Sequence, residues 1–337
     1  MASTDLHSTA QLLVAYPGGI AALDESEGTF QKRADSVGME NTFANRQAYR
    51  SVLARTPNLH GAGCNGVILH PETLMQPTPA GIFIADILDE QGIVPVVKVD
   101  EGLEAYTSTA GYQWLTKGLD GLGKRLDGYM PRRPGATKWR VQYAVGNGLP
   151  TQDTIDYNSL GLAAFGLVSQ ERGLVPILEP EVFADYGNGD HTIDAGEEAS
   201  KRALGRLFEH CMQLGVDPKG AILKTNFVTP GRRVASASAR EVAERTLNVL
   251  YNTAPPELAG VAFLSGGLPG ATEYLNATCA LNRRRSGALV PTYSFGREVQ
   301  GKSLELFAKC AGPDAVQYAF VTAVRNASLA VQGKYRG

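Results

Sequence analysis

Short apolar runs rich in β-branched residues alternate with helical patterns eight times along this chain of 337 residues. The candidate strands are Gly19–Asp24, Gly66–His70, Ile93–Val99, Lys138–Tyr143, Val175–Glu181, Ala221–Asn226, Gly260–Ser265 and Ala288–Ser294. Helical spacing fills the gaps at Asn41–Ala54, Ala80–Glu90, Asp120–Tyr129, Thr154–Glu171, Ala195–Leu214, Ser236–Leu250 and Ala271–Asn282. A last pair follows at Gly296–Cys310 and Ala315–Leu329. Strands separated by helices pair in parallel, because each helix returns the chain to the edge where the last strand began. Eight is the number of units that closes an α/β (β/α)8 TIM barrel. On this reading residues 1–337 form a single barrel domain with a helical segment before its first strand. An open doubly wound sheet would want a glycine-rich phosphate turn after the first strand. Asp24-Glu25-Ser26-Glu27-Gly28 is not one.

Charged residues stand where packing alone would not put them. Lys224 closes the run Ala221-Ile222-Leu223-Lys224, Lys98 ends another, and Glu179 follows Pro176-Ile177-Leu178. Asp24 ends the first strand, and the fourth opens at Lys138. Packing could explain one snorkelling lysine; the repetition points to chemistry. In a barrel these ends share one face, which is where such folds carry active sites. An amine taken out of water gives up its proton more readily, and the free lone pair makes a Schiff-base nucleophile. The fourth, fifth and sixth strands are neighbours, so Lys138, Glu179 and Lys224 converge within about two strand spacings of ~4.8 Å. Two nearby ammonium groups are expected to depress one another's pKa, with a carboxylate between them moving protons. The seventh and eighth strands end in Ser265-Gly266-Gly267 and Ser294-Phe295-Gly296-Arg297. Backbone N–H groups with one guanidinium suit a phosphate monoester.

Composition narrows the partners. Lys and Arg total 32 against 34 Asp and Glu, a net charge of −2, which leaves no electrostatic footprint for nucleic acid or an anionic membrane. Arg232-Arg233 and Arg283-Arg284-Arg285 are read as solvated positions. Cys64, Cys211, Cys279 and Cys310 lack metal-like spacing and are read as free thiols of a reducing compartment. Neither a secretory signal nor a stretch of about 18 apolar residues is visible. A cytoplasmic enzyme is expected, so the sequons at Asn276 and Asn326 are read as coincidences.

The segments Ala22-Leu23-Asp24-Glu25-Ser26, Gly66-Val67-Ile68-Leu69, Val97-Lys98-Val99-Asp100, Gly118-Leu119-Asp120-Gly121-Leu122, Lys138-Trp139-Arg140, Glu179-Pro180-Glu181, Leu223-Lys224-Thr225-Asn226, Phe263-Leu264-Ser265-Gly266-Gly267 and Ser294-Phe295-Gly296-Arg297 occur in that order. Together they resemble the class I, Schiff-base-forming fructose-bisphosphate aldolases along nearly the whole chain. Gln332-Gly333-Lys334-Tyr335 is similar to the end of the family's last helix.

The resemblance implies that Lys224 forms the iminium with a ketose carbonyl. Glu179 would be the acid and base for carbinolamine formation and dehydration. Asp24 would act on the C4 hydroxyl, with Lys138 balancing its charge. Ser265, Gly266, Gly296 and Arg297 would hold the C1 phosphate. Ser26, Thr29 and Lys98 would meet the C6 phosphate, supported by Lys32, Arg33 and Arg140, while Glu181 orients lysines. The partners implied are sugar bisphosphates and triose phosphates, with no metal or other cofactor, in a homotetramer. Lys219 and Thr225 depart from the family, which usually has glutamate and proline there. Animal members continue into a flexible tail ending in a tyrosine. The sequence stops at Gly337, and Tyr335 is not expected to inherit that role.

Other features have plainer readings. Asp185–Asp194 looks like a calcium loop but lacks the ligands of an EF-hand. His70 is read as a packing or loop histidine, and Gly118–Gly123 as a turn leading into a helix. The leading expectation is reversible cleavage of fructose 1,6-bisphosphate. The same chemistry on sedoheptulose 1,7-bisphosphate, or a catalytically idle barrel scaffold, are the competing ones.

Overall fold

The computed structural model describes residues 5–106, 113–182, 189–285, 287 and 289–337. Helix α1 (Leu6–Leu13) precedes β1 (Gly19–Leu23). Helices α2 (Glu27–Ser36) and α3 (Phe43–Ala54) lead to β2 (Cys64–Leu69), then α4 (Pro71–Met75) and α5 (Ile84–Glu90) to β3 (Val94–Lys98). An antiparallel hairpin, β4 (Leu103–Ala105) with β5 (Trp114–Thr116), and α6 (Leu122–Tyr129) come before β6 (Ala136–Tyr143). The chain then alternates through α7 (Gln152–Gln170), β7 (Val175–Val182), α8 (Ile193–Leu214), β8 (Ile222–Thr225), α9 (Ala239–Thr253), β9 (Gly260–Phe263), α10 (Ala271–Arg284) and β10 (Pro291–Phe295). Helices α11 (Arg297–Ala308) and α12 (Pro313–Val331) end it.

Strands β1, β2, β3, β6, β7, β8, β9 and β10 pair in parallel in that order, and β10 returns to β1. Closure rules out the open-sheet alternative. Alternate strand residues face opposite sides, so each strand feeds two layers. Outward residues pack under the helices, as where the Trp139 ring lies 5.5 Å from that of Phe165 on α7. Inward residues at the N-terminal end form a second apolar cluster of Ile20, Ala22, Ile68, Val94, Val96, Ala136, Val175, Ile177, Ile222 and Ala262. Ala10, Leu13 and Val14, in and just after α1, pack against it and plug that end. Each large aliphatic side chain so buried contributes about 1.5–3 kcal/mol.

Followed toward the C-terminal end, the inward positions turn polar. Val94 and Val96 give way to Lys98; Ala136 to Lys138, Arg140 and Gln142; Val175 and Ile177 to Glu179 and Glu181; Ile222 to Lys224. Every barrel strand expected from the pattern is present, with two differences that matter. Strand β6 begins at Ala136, so Lys138 lies inside it. Strand β7 runs one residue past the expected Glu181, to Val182, and carries Glu179 and Glu181 on one face. Ala288, the expected start of the last strand, lies outside the described residues. The pattern missed α2, whose buried residues are Phe30 and Ala34, as well as the five-residue α4 and the three-residue strands of the hairpin. No helix among the described residues is long and apolar enough to cross a membrane.

Candidate active site

A cavity of about 970 Å³ opens at the C-terminal ends of the strands. Its floor is a row of alternating charges. Lys224 Nζ lies 3.2 Å from Glu179 Oε1, and Glu179 Oε2 lies 2.6 Å from Lys138 Nζ. Lys138 Nζ donates in turn to Asp24 Oδ2 at 3.0 Å. Lys224, Glu179 and Lys138 are each under 5 % exposed, so these charges meet with little water between them. A buried charge is tolerated when it is paired.

A second set of pairs flanks this row. Lys98 Nζ donates to Asp100 Oδ1 at 2.5 Å and to its backbone oxygen at 2.9 Å, while Asp100 Oδ2 accepts from the Arg140 N–H at 3.3 Å. Glu181 Oε2 accepts from Gln142 Nε2 at 2.9 Å and lies 3.4 Å from Arg140 Nη1.

The pairing decides the protonation states. Burial favours the neutral acid at Asp24, but the ammonium groups of Lys138 and Lys224 outweigh it and hold the carboxyl well below the usual range. Asp100 is likewise lowered, by Lys98 and Lys138 against its burial. Burial favours the neutral amine at Lys138, yet Asp24, Glu179 and Asp100 raise its pKa above the ordinary lysine value. The mutual depression expected of the two lysines is therefore overturned at Lys138, whose nearest neighbours are carboxylates.

Two helix N-termini stand at the rim. Gly296 caps α11, and Arg297 in its first turn donates through Nη2 to the Gly266 carbonyl of the Ser265-Gly266-Gly267 turn. Gly267 sits at φ +71°, which favours glycine, and the Arg297 guanidinium packs against it, its carbon 2.3 Å from where a Cβ would lie. Ser26 caps α2 and donates to Thr29 Oγ1 at 3.2 Å. Exposed helix N–H groups and cations make such places suitable for phosphate.

The whole length from residue 5 to 337 matches the family described as "Glycolytic: Fructose-bisphosphate aldolase class-I". The chain belongs to the class I fructose-bisphosphate aldolases. It is 38% identical to the chloroplastic fructose-bisphosphate aldolase 2 of Pisum sativum, over 99% of this chain and 94% of the relative. Identity is 39% to a probable fructose-bisphosphate aldolase class 1 of Xylella fastidiosa, over the full length of both. A solved fructose-bisphosphate aldolase from Plasmodium falciparum, in complex with TRAP and a small molecule inhibitor, superposes with a TM-score of 0.94 at 35% identity, covering 99% of this chain and 96% of that one. The protein is thus a carbon–carbon lyase of a family that acts on sugar bisphosphates.

All the residues expected to form the aldolase site line this one cavity: Asp24, Ser26, Thr29, Lys98, Lys138, Arg140, Glu179, Glu181, Lys224, Ser265, Gly266, Gly296 and Arg297. Lys32 and Arg33 do too, although Arg33 is ion-paired to Glu25. Sequence reasoning gave no role to Asp100 or Gln142. Both follow from period-two spacing, Asp100 two residues past Lys98 and Gln142 two past Arg140. Glu25 was missed as a link: it accepts from Gln300 Nε2 of α11 at 2.8 Å while holding Arg33 of α2. Long-range pairing of that kind has no local signal.

His70 lines the cavity and caps α4, accepting from the Glu72 N–H through Nδ1 at 3.3 Å. Burial, with help from Arg50 and Lys98, pulls its pKa down to about 4, so it is neutral at physiological pH. The turn at Gly118–Gly123 does lead into a helix, α6, with Gly121 as its left-handed N-cap. Of the calcium-like loop, residues 185–188 lie outside the described residues.

Proposed function

We propose that the enzyme cleaves fructose 1,6-bisphosphate reversibly to dihydroxyacetone phosphate and glyceraldehyde 3-phosphate through a Schiff base on Lys224. The observation that carries this reading is the buried row Lys224–Glu179–Lys138–Asp24. It sets an amine beside a carboxylate that can exchange its proton, and a second carboxylate, held ionised, across a fixed ammonium.

Attack of the Lys224 amine on the C2 carbonyl gives a carbinolamine. Glu179 passes a proton to the departing hydroxyl, water leaves, and a protonated imine remains. Asp24 removes the C4 hydroxyl proton as the C3–C4 bond breaks. The bonding pair moves toward the iminium nitrogen, forming an enamine, and glyceraldehyde 3-phosphate leaves as the aldehyde. Lys138 stays charged and balances the carboxylates beside it. Protonation of the enamine at C3 and hydrolysis of the imine release dihydroxyacetone phosphate. The protonated imine serves as electron sink, so the chemistry needs no metal or other cofactor and cleavage should survive EDTA.

On the same reading Ser265, Gly266, Gly296 and Arg297 hold the C1 phosphate, and Ser26, Thr29 and Lys98 meet the C6 phosphate. Lys32, Arg33 and Arg140 support the C6 phosphate, and Glu181 orients the lysines. We extend the reading to a single domain that assembles as a homotetramer. Light scattering at four chain masses, and resistance to proteolytic division into stable halves, would support that extension. The test of function is cleavage of fructose 1,6-bisphosphate by the purified protein. Turnover in the wild type and its loss in Lys224→Ala are expected, and retained turnover in the variant would refute the role of Lys224.

A further inference from the structure

Two guanidinium groups converge on one carbonyl oxygen at the rim of the cavity. Arg297 donates to the Gly266 oxygen from the start of α11, and Arg232 Nη2 donates to the same atom at 2.6 Å. Arg232 comes from the loop between β8 and α9. The sequence alone gives no reason to read it as more than a solvated charge.

The backbone fixes where this loop runs. The Gly231 N–H donates to the His191 oxygen at 2.9 Å and the Arg233 N–H to the Gly189 oxygen at 2.8 Å, so both neighbours of Arg232 are tied to the segment that follows β7. The Val234 N–H closes a turn onto the Gly231 oxygen at 3.0 Å. A Cβ on Gly231 would sit 2.3 Å from the Gly189 oxygen, so the approach requires glycine. The turn therefore sets Arg232 over the ends of β8 and β9, facing the Ser265-Gly266-Gly267 turn.

A carbonyl oxygen is a weaker acceptor than a phosphate, which carries about −1.5 to −2 charge at neutral pH and three acceptor oxygens. Guanidinium groups stay protonated and match phosphate oxygens in pairs. We propose that Arg232 is a second guanidinium for the phosphate that Arg297 meets. Both turn from the Gly266 oxygen to that phosphate on binding, and the pair sets the preference for ketoses phosphorylated at C1. The proposal rests on the placement of the C1 phosphate given above.

The test is steady-state cleavage of fructose 1,6-bisphosphate and fructose 1-phosphate by Arg232→Ala, Arg232→Lys and Arg233→Ala, with inorganic phosphate as a competing probe. Arg232→Ala should raise KM for both substrates about tenfold, the lower end of what loss of a charge-assisted contact predicts, because Arg232 is exposed. It should leave kcat within about twofold and weaken phosphate inhibition in parallel. Arg232→Lys should recover part of the loss, and Arg233→Ala should change little. A lowered kcat at unchanged KM would mean a structural role. Equal KM rises in the Arg232 and Arg233 variants would mean diffuse surface charge. Either result, or an unchanged KM in Arg232→Ala, would overturn the proposal. A wild type that cleaves neither substrate would instead sink the proposed function.

Discussion

Lys224 Nζ lies 3.2 Å from Glu179 Oε1, one strand apart in the barrel and both nearly out of water. The other oxygen of the same carboxylate faces Lys138 at 2.6 Å. One carboxylate thus touches the proposed nucleophile and a neighbour whose ammonium form is favoured by the carboxylates around it. Glu179→Gln keeps the shape and removes the proton acceptor. It should lower kcat by roughly 10²–10⁴, the usual contribution of general acid–base catalysis, with a smaller effect on KM. Rapid-quench measurement of imine formation should find that step slowed; an unchanged imine rate would remove Glu179 from the role.

Lys138 ties the acid and alkaline limits of stability together. The pKa values of Asp24 and Asp100 are held below their unfolded values of about 3.9. Their stabilising contribution is thus complete above that pH and lost as pH falls through the lower folded values. The pKa of Lys138 is raised above its unfolded value of about 10.4, so its contribution is complete below that pH and lost as pH rises through the higher folded value. Lys138→Met leaves Asp24 and Glu179 without the ammonium between them. It should cost about 3–5 kcal/mol near neutrality and flatten the acid limb of urea-measured stability, because the Asp24 carboxyl is then held less far below its unfolded value. An unchanged acid limb would contradict the pairing.

His70 should titrate far below an ordinary histidine. Its pKa is pulled to about 4, so its neutral form contributes stability that is complete above about pH 6.5 and is lost as pH falls through 4. NMR of the imidazole, assigned by the resonance missing in His70→Asn, should show a midpoint near 4. A midpoint at 6 or above would mean that the ring is open to water.

The two proposed phosphate ends can be separated by substrate. Arg297→Ala should raise KM for fructose 1,6-bisphosphate and for fructose 1-phosphate alike, by roughly ten- to a hundredfold. Lys98→Ala, at the other end, should harm the bisphosphate much more than the monophosphate. Equal losses on both substrates in the Lys98 variant would reverse the assignment of ends.

Much of this was legible in the chain because a barrel strand repeats with period two. Once Lys138 is known to face inward, Arg140 and Gln142 must follow, and Lys98 brings Asp100 with it. Strand ends were less legible. Lys138 reads as the opening of its strand, yet β6 begins two residues earlier, at Ala136, paired with β3 and β7. The protonation of Lys138 was not legible either, since it depends on carboxylates from β7 and from beyond β1 and β3. Nor was Arg232, whose position is set by hydrogen bonds between two loops that are far apart in sequence.

The most direct test of the account is borohydride reduction in the presence of dihydroxyacetone phosphate, followed by peptide mass spectrometry. One stable adduct is expected on the peptide containing Lys224, with loss of activity in step with labelling, and none in Lys224→Ala. An adduct on Lys138 or Lys98, or undiminished labelling of the Lys224→Ala protein, would contradict it.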